Sequence, residues 1–147
     1  MAAEKKYLMQ EWKSGQEMHE EAVLWISSLE FITSEHHFFE DLLNAYFLQI
    51  SNQDHYKEGK ELVTELGENK VKNDSLINEV STHNNSLIVL LDGKNEFEKE
   101  DQVKSEHRSL EARMKEHEKG FRTLKGHIFD LVAAIIKEIK KDHLLGP

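Results

Sequence analysis

Apolar residues recur along this chain in alternating steps of three and four. One series runs Ala22, Trp25, Leu29, Ile32, His36, Phe39, Leu43, Tyr46, Ile50. A second runs Leu62, Leu66, Asn69, Asn73, Leu76, Val80, His83, Leu87, Leu90. A third runs Val103, His107, Leu110, Met114, His117, Phe121, Leu124, Ile128, Leu131, Ile135. Such heptads belong to helices that pack nearly parallel with a left-handed supercoil. No window alternates with period two for long enough to make a strand. The pattern therefore predicts an all-α fold: an elongated antiparallel up-down-up bundle of three long helices with coiled-coil-like heptads. Each would be about 50 Å long at the rise of an α-helix. A short helix over residues 3–13, carrying Tyr7, Leu8 and Trp12, is expected ahead of them, all within a single domain over 1–147.

Residues with helix-end chemistry fall between the series. Ser14 and Glu17 have capping-box spacing and place the first long start near residue 14. Residues 51–54, Ser51 to Asp54, form a polar turn with Asp54 as a candidate N-cap. Residues 92–95 form a second turn, with Gly93 as a helix stop and Asn95 plus Glu98 as the next cap. The second helix carries two contrary signals, a stop at Leu66 and Gly67 and a restart at 73–75. Its heptad runs through both, which favours one kinked helix over two. Short turns imply antiparallel neighbours.

Composition adds exclusions. Acidic residues number 28 against 19 basic ones, a net charge of -9. That balance disfavours nucleic acid and anionic membrane surfaces as partners. There is no cysteine, so no disulfide, thiol nucleophile or thiolate metal site. The longest nearly apolar stretch, 128–136, contains Asp130 and is too short to span a bilayer. No apolar run follows the first lysines, as a secretory signal would require. A cytoplasmic setting is expected. No serine has an identifiable base and orienter, and no glycine-rich phosphate loop exists, so enzymatic function has little support.

The candidate chemistry lies in seam histidines. Antiparallel pairing about the two turns sets His83 level with His107 and near Trp25, with Glu79 level with Glu111 one turn away. Glu79, His83, His107 and Glu111 thus form the first candidate metal set. His36, Asn73 and His117 share a second level, with Glu40 and Asn69 one turn on, so His36, Glu40 and His117 form a second candidate set. Imidazole and carboxylate suit a divalent metal such as iron or zinc. Residues 36–40 resemble the His-x-x-x-Glu element of hemerythrin-like proteins, but no His-x-x-x-His occurs anywhere in the chain. The paired Glu-x-x-His of ferritin-like di-iron sites is also missing. The competing reading is structural: polar seam residues that fix register at some cost in stability.

One more pattern points outward. Near the first turn, Phe38, Leu42 and Ala45 make a second apolar stripe beside the seam, and Phe129, Val132, Ala133 and Ile136 do the same on the third helix. The matching stretch of the second helix is strongly polar and covers only one side. The chain then has more apolar surface than three helices bury. The expectation is a non-enzymatic, self-associating protein, a homodimer with Phe38, Leu42, Phe129, Val132 and Ile136 in its interface. The stripe would equally fit a partner's amphipathic helix.

Overall fold

The computed structural model describes residues 12–93 and 97–145. Four helices account for nearly all of them: α1 (Gly15–Ala45), α2 (Phe47–Ile50), α3 (Tyr56–Leu91) and α4 (Phe97–Leu145). The three long helices pack against one another, and the fold is an all-α bundle. No strand occurs among the described residues.

The helix ends follow from local chemistry. Ser14 Oγ accepts the Glu17 backbone N–H at 3.1 Å, half of the expected capping box, and α1 begins one residue after Ser14. Gly93 closes α3 with φ of +86°, a left-handed conformation that costs glycine nothing. α3 is unbroken through Gly67 and residues 73–75, so tertiary packing overrides the local stop and start signals. It begins at Tyr56, two residues past Asp54, with the Asn52 carbonyl receiving the amides of His55 and Tyr56. Residues 3–11 of the expected N-terminal helix and the expected cap Asn95 lie outside the described residues. Trp12, Lys13 and Ser14 are not helical.

The first heptad series does not belong to one helix. α1 ends at Ala45, Tyr46 takes a non-helical φ of -107° and ψ of 21°, and α2 carries the last turn. This break turns Ile50 onto Gly59. A Cβ built at Gly59 would collide with Ile50 Cγ2, so the bare Cα is what lets the two segments meet.

The chain packs as two units. Unit 1 holds the described part of Met1–Glu30 together with Ser75–Lys115, and unit 2 holds Phe31–Asp74 with the described part of Glu116–Pro147. The core of unit 1 contains Met18, Ala22, Leu29, Leu76, Val80, Leu87, Val103, Leu110 and Met114. That of unit 2 is larger and centres on Phe39, Leu66, Phe121, Ile128 and Ile135. Every residue of the three heptad series is buried except Trp25, Tyr46, Asn69 and Leu90, which are partly buried. Among the described residues, no helix is long and apolar enough to cross a membrane.

Candidate functional site

Unit 1 carries a chain of titratable groups through its core. His83 on α3 and His107 on α4 are both buried, and His83 Nε2 lies 2.9 Å from His107 Nδ1. The other nitrogen of His107, Nε2, lies 3.1 Å from a carboxylate oxygen of Glu21 on α1. The two histidines are where the heptads place them, whereas Glu21 lies outside the heptad series. His83 and His107 are seam positions on facing helices, and Glu21 stands one turn before Trp25, their level on α1. Both tryptophans of the chain pack on His107. Trp25 stacks on the imidazole at 4.5 Å and Trp12 meets its edge at 6.0 Å.

The partners decide where the protons sit. A carboxylate only accepts, so His107 Nε2 carries the proton and donates it to Glu21. In a neutral ring, His107 Nδ1 is then bare and accepts from His83 Nε2–H. Neutral His83 is left with a lone pair on Nδ1. Burial pushes both histidines below the ordinary imidazole range; the His107 ring lowers His83 further, while the Glu21 carboxylate pulls His107 the other way without outweighing burial. The neutral forms assumed above are thus the favoured ones.

The expected four-ligand set is divided. His83 and His107 meet, but Glu79 and Glu111 are drawn to cations. Glu79 pairs with Arg113 at the surface. Glu111 and Glu21 share the ammonium of Lys13. Lys13 holds the Glu111 carboxyl below its usual range, against desolvation. Desolvation pulls the Lys13 ammonium down, but the two carboxylates outweigh it and its pKa is raised. Ligand atoms of Glu21, His107 and Glu111 all lie within 4.8 Å of one another, an arrangement with the donors a metal ion accepts.

Sequence reasoning missed Glu21, Glu106 and Lys13. Glu106 was legible as a carboxylate level with His83, adjacent in sequence to His107. Lys13 sits in a non-helical segment without periodicity, and no pattern could have placed it.

The second expected set, in unit 2, is a polar layer. His36 Nε2–H donates to Asn69 Oδ1 at 2.6 Å, and His117 Nε2–H donates to Asn73 Oδ1 at 2.9 Å. Asn73 Nδ2 in turn donates to Thr33 Oγ1 at 2.9 Å. Glu40 does not join His36 and His117 but pairs with Lys70. Buried amides and imidazoles here satisfy one another, as buried polar groups must.

Compared with known protein families, with curated proteins and with solved structures, the chain matches none.

Proposed function

We propose that this chain is a non-enzymatic helical bundle that acts by self-association through an apolar face on unit 2. The observation that carries the reading is a pair of exposed phenylalanines flanking one buried ring. Phe38 and Phe129 are 54% and 50% exposed, and each meets Phe39 edge-on at 5.2 Å. Leu42 and Ile136 lie partly buried against the same core. Val132, expected in this face, is only 4% exposed and belongs to the core itself. It is therefore left out of the interface. Phe38, Leu42, Phe129 and Ile136 would meet their own copies across a two-fold axis. A partner's amphipathic helix is the other occupant such a face accepts. A cytoplasmic setting suits a chain without cysteine.

Sedimentation equilibrium over a micromolar range tests the reading. The unmodified chain should show the mass of two copies, and Phe38→Glu/Phe129→Glu the mass of one with unchanged helix content. A monomer at every concentration overturns it.

A second reading, histidine/carboxylate metal binding, is favoured by the Glu21, His107 and Glu111 group. Iron and zinc suit these donors. Elemental analysis of metal-replete protein, beside His83→Ala/His107→Ala, tests it: bound metal that the variant loses supports the reading, and its absence ends it.

A further inference from the structure

We infer that unit 1 binds a divalent first-row transition ion of the zinc type at His83 Nδ1 and Glu106, with His107 and Glu21 as the hydrogen-bonded support behind it. This rests on the metal-binding reading and moves the ion to the opposite side of the histidine pair from the Glu21, His107 and Glu111 group.

The first observation is an unpartnered atom. His83 is 2% exposed, and its Nδ1 has no hydrogen-bond partner among the described residues. The proton order derived above leaves that atom with a lone pair. Glu106 Oε2 lies 3.6 Å from it, too far for a hydrogen bond. In the neutral ring both groups are acceptors, so neither satisfies the other. A proton, a water donating to both, or a cation can fill the space between them. Burial and the neighbouring His107 ring push His83 toward its neutral form, against the pull of the Glu106 carboxylate. A divalent ion satisfies the two acceptors at once.

The spacing fits. A tetrahedral ion with bonds of about 2.0–2.1 Å holds its ligand atoms about 3.4 Å apart. The nitrogen and oxygen here are 3.6 Å apart, so the ion can enter with a small adjustment of Glu106. Glu106 is 47% exposed and free to make it. The pair opens on a groove of about 380 Å³, lined also by Glu79, Thr82, Ser109 and Arg113. That volume admits water to complete the coordination. Two carboxylates face one guanidinium in the groove, so its charge favours a cation.

The other side of the pair is less suited. Lys13 already sits between Glu21 and Glu111 and pairs with both, so its ammonium holds the place of an ion. His107 Nε2 spends its proton on Glu21, and both indoles cover the ring. Binding there would displace an ammonium and reverse the tautomers of both histidines. Binding at His83 Nδ1 needs neither. It leaves the hydrogen bonds in place, and the Glu21 carboxylate, acting through His107, raises the basicity of the ligating ring. Carboxylate–histidine support of this kind is the usual arrangement behind a metal-bound imidazole.

The experiment is calorimetric titration of the full chain, stripped with chelator, with Zn2+, repeated with Co2+ and its visible absorption. One ion per chain is expected. Glu106→Gln, a change at a half-exposed position, should weaken binding at least tenfold, and His83→Gln should abolish it. Glu21→Gln should weaken it about 10–100-fold, the usual effect of losing such support. Glu111→Gln should leave it unchanged. Binding that survives Glu106→Gln but falls with Glu111→Gln overturns this site and keeps the metal-binding reading. No binding in the unmodified chain overturns both.

Discussion

His117 donates a hydrogen bond to Asn73 across 2.9 Å inside the core of unit 2, and Asn73 passes the connection on to Thr33. Asn73 and His117 are buried seam residues, so water cannot replace either partner. Asn73→Leu should destabilise the protein by about 1–3 kcal/mol, the cost of leaving a buried donor unmet. Asn73→Leu combined with His117→Leu should recover most of that loss. Urea unfolding of the single and double variants reads the difference. Equal losses in both would show that the hydrogen bond matters less than the shape of the side chains.

The same layer gives a pH dependence with a definite sign. Burial pushes His36 and His117 below their ordinary range. For His36, Lys70 adds to burial, while its bond to Asn69 and the charges of Glu40 and Asp74 oppose it. For His117, the neighbouring His36 and Lys72 push the same way as burial. The unfolded chain therefore binds more protons once the pH drops below about 6.5, the ordinary histidine value. Stability from this layer should be full above that value and fall as the pH drops through the folded-state values. Unfolding midpoints at pH 7.5 and 5.5 should show the loss, and His36→Leu/His117→Leu should reduce it. A midpoint that rises toward pH 5.5 would contradict the assignment.

Gly59 and Gly67 lie two turns apart on α3 and should respond oppositely to alanine. At Gly59 a new methyl group runs into Ile50. Gly59→Ala should cost about 1–3 kcal/mol through overpacking, more than the helix propensity it gains. At Gly67 nothing lies within 4 Å of a new Cβ, so Gly67→Ala should stabilise by up to about 1 kcal/mol. Thermal unfolding of the two variants makes the comparison. Similar shifts in both would mean that α2 yields readily and Ile50 is not fixed against α3.

Phe39 stands at the centre of the unit 2 aromatic group, in edge contact with Phe38, Phe121 and Phe129. Phe39→Ala should cost about 3–5 kcal/mol, as removal of a buried aromatic ring does. Phe38→Ala, at a half-exposed ring, should cost clearly less in the monomer. Denaturant unfolding under monomeric conditions separates the two; equal costs would mean that Phe38 is as deeply packed as Phe39.

The fold was largely legible because heptads constrain it twice. Their period marks which face of each helix is buried, and the position of each turn then sets which residues share a level. His83 with His107, and Asn73 with His117, follow from those two facts alone. What lay beyond them was the pull of cations outside the seams. Glu79 and Glu111 were expected beside the histidine pair, but Arg113 and Lys13 take their carboxylates, and no periodicity reports on a flanking charge. The break at Tyr46 was equally hidden, because the heptad runs across it and only the close approach of Ile50 to Gly59 gives it a reason.

Both tryptophans rest on His107, and so both belong to unit 1. Unit 2 has phenylalanine and tyrosine but no indole. The protein thus carries an optical label on one of its halves. Indole emission follows the melting of the half with the histidine pair, whereas circular dichroism counts helix in both. Recorded on one sample, the two signals will superimpose if the halves unfold together and separate if they do not.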